Sequence, residues 1–83
     1  MEEDHELEKR EMKLRSIIIS GSSPFIGKTL QESGIRDQYN CMVVGIEEGK
    51  ENLSQIKPSY RFQKGDILWI VGEIEDIQRI TRS

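Results

Sequence analysis

The stretch Lys64-Gly65-Asp66-Ile67-Leu68-Trp69-Ile70-Val71-Gly72 decides the fold. Five consecutive apolar residues, Ile67 to Val71, stand between a Gly-Asp pair and a closing Gly. β-Branched and aromatic types dominate the run, and it is too short for a buried helix of ordinary length. Both features predict a strand covered on both faces. Full burial of Trp69 would contribute about 4 kcal/mol as an upper estimate, from roughly 150 Å² of apolar area. Lys64-Gly65-Asp66 reads as the tight turn that launches the strand. Gly takes a positive φ without steric cost, and Asp hydrogen-bonds the backbone ahead of it.

Downstream of this strand, Ile74, Ile77 and Ile80 recur at a spacing of three, which predicts a helix over 73–82. Its acids come early and Arg79 and Arg82 late, as the helix dipole favours. Upstream, Cys41-Met42-Val43-Val44-Gly45-Ile46-Glu47 reads as a second strand, and the Gly49 bend as a hairpin to a short strand near 52–54. Pro58 keeps 56–62 out of a central ladder. Ser16-Ile17-Ile18-Ile19-Ser20 predicts a first strand. Gly21-Ser22-Ser23-Pro24 then caps a short helix at 25–33, which Gly34 ends. Residues 35–40 read as an irregular linker. The first fifteen residues are almost all charged, with acids before bases, and predict a connector helix over 1–15 that carries a thin stripe of Leu7, Met12 and Leu14. The expected fold class is therefore α+β, a βαβββα domain at 16–83 behind that charged lead-in.

Composition narrows the function classes. Eighty-three residues make one small domain, marginal as a lone monomer and helped by a second copy. A net charge of −3 with 33% charged residues lacks the concentrated basic field that nucleic acid requires, so no nucleic-acid partner is expected. A single cysteine, Cys41, rules out an internal disulfide and a Cys-based zinc site, and its apolar setting reads as a buried structural thiol. The only histidine is His5, outside the predicted core, so no metal site is expected. No apolar run approaches the length of a membrane span.

The residues that invite a catalytic reading fail on spacing. Gly21-Ser22-Ser23-Pro24-Phe25-Ile26-Gly27-Lys28-Thr29 follows a strand and ends in Gly-Lys-Thr, as a phosphate loop does. Five residues separate its glycines instead of four, Pro24 has no N–H, and Phe25 and Ile26 are bulky where an anion must approach. A capped turn into a helix is the simpler reading. Adjacent Glu47 and Glu48 point to opposite faces of a strand and read as a solvated hairpin end. Ser20, Ser22 and Ser23 have no base to activate them. No enzyme is expected. Arg36, between a helix end and a strand, either ties down the loop or binds an anion in bidentate fashion.

Three spaced motifs converge on one family. Ser22-x-x-x-Ile26-Gly27-Lys28-Thr29-Leu30, then Gly34-Ile35-Arg36-x-x-Tyr39-x-x-x-Val43-Val44-x-Ile46, then Phe62-x-x-Gly65-Asp66-x-Leu68-x-x-x-Gly72 resemble the TrkA C-terminal domain (RCK_C), the C-terminal half of the RCK family that regulates potassium conductance. The resemblance covers 16–80. It implies a βαβββα regulatory domain, usually a homodimer, on the cytoplasmic side of the inner membrane. The partner it implies is the transmembrane cation transport domain of the same parent chain, with a monovalent cation:proton antiporter favoured over a potassium channel or uptake system. It implies no cofactor but a small ligand such as a cyclic dinucleotide, with candidate contacts Ile35, Arg36, Tyr39, Met42 and Val43. Relatives that bind cyclic di-AMP place an Asp two residues before the Arg and an Asn six after it. Here these positions hold Gly34 and Met42. A purely structural dimerisation module is the alternative.

Overall fold

The computed structural model describes residues 11–49, 51–53 and 56–82. Four strands, β1 (Met12–Ile18), β2 (Met42–Glu48), β3 (Glu51–Leu53) and β4 (Ile67–Glu73), form one antiparallel sheet in the order β1-β4-β2-β3. Two helices, α1 (Leu30–Ser33) and α2 (Ile74–Thr81), complete the expected βαβββα order.

β4 lies between β1 and β2, so the Ile67–Val71 run is part of the hydrogen-bonded centre of the sheet. Its side chains alternate. Leu68, Ile70 and Gly72 are buried, and Ile67, Trp69 and Val71 are half-buried. Coverage on both faces is therefore corrected to coverage on one. Leu68 and Ile70 are 0% exposed beneath Ile46, Phe62, Ile77 and Ile80, and each such burial is worth about 1.5–3 kcal/mol. Trp69 lies on the other face with its indole N–H donating to Glu47 at 2.6 Å, so it falls short of the full burial expected.

Three further expectations shift for identifiable reasons. β1 begins at Met12, so residues 12–15 extend as an edge strand instead of closing the lead-in helix. Pairing decides this: Met12 to Arg15 stand opposite Glu73 to Ile70 in register, and seven ladder positions outweigh weak local helix preference. The helix expected over residues 1–10 lies outside the described residues. The helix expected at 25–33 shortens to Leu30–Ser33, because Gly27 at φ +82° breaks helical geometry and residues 24–27 form turns. Of the three isoleucines on α2, Ile77 and Ile80 enter the core while Ile74 is 38% exposed.

Glycine is required at two points. Gly65 at φ +92° makes the turn into β4. At Gly72 a Cβ would meet Cys41 Sγ at 2.6 Å, so β4 passes directly over the thiol only because no side chain intervenes.

Candidate functional site

The Gly-Lys-Thr segment is structural. Thr29 caps α1: its hydroxyl accepts from Glu32 N–H at 3.2 Å while the Glu32 carboxylate accepts from Thr29 N–H at 3.0 Å, a complete capping box. That N–H, with Arg61 adding, holds the Glu32 carboxyl below its ordinary value. Gly27 N–H donates to the Phe62 carbonyl and Phe62 N–H to the Lys28 carbonyl, and Arg61 donates to the Gly27 carbonyl at 2.7 Å. The segment therefore straps the Phe62 loop to the helix entry, and its N–H groups are committed.

Gly34 ends α1 in the left-handed region, at φ +74°, and donates to the Gln31 carbonyl. A Cβ there would meet the Gln38 side chain at 2.8 Å. The turn that follows carries Arg36 and Asp37 outward and buries Ile35 completely. Beside it opens a cleft of about 570 Å³, walled by Leu30, Gln31, Cys41, Met42, Val43, Ile56 and Pro58 as well as by this turn. A smaller depression of about 200 Å³, lined by Met12, Arg36, Asn40, Cys41, Met42 and Val71, lies on the other side of Met42.

Of the five candidate contacts, Ile35, Arg36, Met42 and Val43 line the large cleft. Ile35, with no exposed surface, supports its floor. Tyr39 is not among the lining residues of this cleft. Its ring meets Phe25 edge to face at a centroid distance of 6.1 Å, and the Arg79 guanidinium lies 5.5 Å from its centroid. Leu30, Gln31, Asp37, Cys41, Ile56 and Pro58 were missed. The Ile56–Pro58 wall comes from a segment distant in sequence, and no local signal places it beside this turn.

Arg36 is exposed and makes no hydrogen bond or ion pair with the described residues. A free guanidinium at the lip of an apolar cleft suits a ligand with an anionic group and an apolar body. Cys41 is inert by comparison. Burial, with Asp76 adding, pushes its thiol up, and the thiol donates to the Tyr39 carbonyl. Among the described residues no group of three or more His, Cys, Asp or Glu side chains is placed to hold a metal ion.

The glutamates of the hairpin are engaged instead of simply solvated. Glu47 accepts from Trp69 on one face, and on the other the Tyr60 hydroxyl lies 2.8 Å from Glu48 and 2.7 Å from buried Asp66. Asp66 also accepts from Gln63 N–H, so the Gly-Asp turn, the 60–63 loop and the hairpin share one knot. Burial, followed by the two carboxylates, raises the Tyr60 phenol well above its usual range.

A family model described as the TrkA-C domain matches residues 14–83. The chain belongs to the TrkA-C domain family. It is 35% identical over 69 residues to the Synechocystis sp. protein named uncharacterized transporter sll0640, covering 83% of this chain and 11% of that protein. It is 29% identical over 65 residues to the probable sodium/sulfate cotransporter 3 of Chlamydomonas reinhardtii, covering 78% of this chain and 7% of that one. The chain thus spans about a tenth of the length of these relatives. Among solved structures, the RCK_C domain dimer of S. agalactiae BusR in complex with c-di-AMP superposes with a TM-score of 0.75 at 25% identity, covering 83% of this chain and 91% of that one. No helix among the described residues of this TrkA-C domain is long and apolar enough to cross a membrane.

Proposed function

We propose that the chain is the ligand-sensing regulatory domain of a membrane transporter, working as a homodimer on the cytoplasmic side of the membrane. The observation that carries this reading is the unpaired Arg36 guanidinium at the mouth of the apolar cleft, in a family with a member solved as a dimer with c-di-AMP. A ligand that fits one dimer arrangement better shifts the equilibrium by its differential affinity, typically about 1–3 kcal/mol. The segment ahead of β1 passes that shift to the transport domain.

The transported species we favour is a monovalent cation, in exchange for protons. A sodium-coupled anion cotransporter is the second reading, favoured by the name of the algal relative. The ligand class is an anion with an apolar or aromatic body, such as a cyclic dinucleotide. Cyclic di-AMP itself fits less well than in relatives with the Asp and Asn. Gly34 leaves no room for a side chain without moving Gln38, and the Met42 thioether is a poor hydrogen-bond partner.

Flux through the parent transporter tests the role. Deleting residues 16–83 abolishes the response of flux to the ligand while transport itself persists. Identical flux and identical response in the deleted protein would remove the regulatory reading.

A further inference from the structure

Three side-chain oxygens meet at the end of the sheet where β2 turns into β3. The Tyr60 hydroxyl oxygen lies 2.8 Å from Glu48 Oε2 and 2.7 Å from Asp66 Oδ2. Both contacts are of hydrogen-bond length, so each needs a proton between its oxygens. A phenol carries one proton and an ionised carboxylate carries none. With both acids ionised, one contact sets a carboxylate against a phenol lone pair, and only a second proton lets both stand. Asp66 is not its holder. The same Oδ2 already accepts from Gln63 N–H at 2.9 Å, and two converging donors leave it an acceptor. Glu48 meets the phenol alone among the described residues. We propose that the trio is a proton-operated latch: Glu48 takes a proton from solvent and donates it to the Tyr60 oxygen, while the Tyr60 hydroxyl donates to Asp66.

The surroundings give Glu48 no positive charge in place of that proton. Glu51, its cross-strand partner on β3, adds a like charge. β4 brings only Ile67 and Leu68 beside this end of β2, and no Lys or Arg among the described residues forms an ion pair with Glu48. Burial and the two carboxylates keep the phenol protonated well past neutral pH, so the acid and not the phenol supplies the change. The closed latch holds one more proton than the open one. Acid therefore closes it, and rising pH opens it as Glu48 ionises.

The latch bears on one wall of the large cleft. Tyr60 N–H donates to the Lys57 carbonyl at 2.9 Å and closes the turn that carries Pro58. Ile56 and Pro58 wall the cleft. An anchored Tyr60 holds this turn against the hairpin, and a released Tyr60 loosens it, so the shape of the cleft follows pH. This consequence rests on the ligand-sensing reading above. The latch itself stands on the hydrogen-bond geometry, so its test uses no ligand and its failure leaves that reading standing.

Urea unfolding of the 83-residue chain between about pH 4 and about pH 8 is the test. It compares wild type, Glu48→Gln, Glu51→Gln, Tyr60→Phe and the Glu48→Gln/Tyr60→Phe pair. The glutamine amide donates to Tyr60 at every pH and keeps the latch closed. Glu48→Gln matches wild type near pH 4 and has a folding constant about fivefold higher near pH 8. In the Tyr60→Phe background the same substitution gains less than about twofold, because the phenol oxygen is gone. Glu51→Gln relieves repulsion alone and also gains less than about twofold. An equal gain with and without the phenol, or an equal gain from Glu51→Gln, assigns the effect to charge repulsion and overturns the latch. A wild type that tracks Glu48→Gln at every pH overturns it as well. So does a melting temperature that one of sodium, potassium, magnesium or calcium raises near pH 8 in wild type but not in Glu48→Gln, since a cation then stands where the proton is proposed. Should Tyr60→Phe fail to fold, Glu48→Gln against Glu51→Gln, a substitution at an exposed position, decides.

Discussion

The two faces of β4 are made from neighbouring residues and behave as different molecules. On one, Leu68 and Ile70 are 0% exposed beneath α2 and the Phe62 loop. On the other, Trp69 and Val71 share a half-open apolar surface with Leu14 and Met42. One face holds the domain together. The other is left open among the described residues, and Arg36 sits at its edge. Stability and recognition are thus divided by the pleat of a single strand, with a period of two residues.

The largest way to break this comparison is to empty the inner face. Ile70→Ala is expected to cost about 2–5 kcal/mol by urea unfolding, while Val71→Ala, measured below the dimerisation range, costs less than about 1.5 kcal/mol. Equal losses would mean that the faces are not distinct. Next is the point where β4 crosses the thiol. Gly72→Ala drives a methyl into Cys41 Sγ and costs about 1–3 kcal/mol. Adding Cys41→Ala recovers part of that loss, because it removes the sulfur at 2.6 Å and leaves only the Cβ at 3.3 Å. Independent, additive losses would show that the contact is not the cause.

Smaller is the knot at the end of the sheet. Tyr60→Phe removes the hydroxyl between Glu48 and Asp66 and is expected to cost about 1–2 kcal/mol near neutral pH. It also changes the alkaline limb of stability. The phenol is raised in the folded state, chiefly by burial, so the folded chain holds its proton where the unfolded chain releases it. Stability from this source is complete below the ordinary tyrosine value of about 10 and declines as pH rises above it. Chemical denaturation between neutral and strongly alkaline pH should show that decline, reduced in Tyr60→Phe. The smallest effect is the capping box: Thr29→Ala costs about 1 kcal/mol, and a larger loss would assign Thr29 a role beyond the cap.

Much of the inner half was legible in the sequence. The Ile67–Val71 run, the Gly-Asp turn and the isoleucines at spacing three each follow a strong local rule. The outer half was less so. Because Trp69 and Val71 are as apolar as their inner neighbours, an uninterrupted run cannot tell a strand with a second core from one with an open recognition face. The extension of β1 through Lys13 and Arg15 was hidden because charged residues give no strand signal, and only the register against β4 holds them extended. In the cleft, Arg36 stood out from its place between a helix end and a strand, while Met42 and Val43 came only with the family resemblance. Ile56 and Pro58 arrive from across the fold. Tyr39, a contact the family resemblance implies, packs its ring against Phe25 and under Arg79.

The central claim is that Arg36 and its cleft receive an anionic ligand. Thermal melting of wild type and Arg36→Ala, titrated with cyclic dinucleotides and mononucleotides, tests it most directly. Binding to the folded state raises the melting temperature by mass action. The account predicts a dose-dependent rise in wild type with at least one of these anions and a much smaller one in Arg36→Ala. A wild-type melting temperature that no nucleotide moves, or a rise that Arg36→Ala reproduces in full, would contradict it.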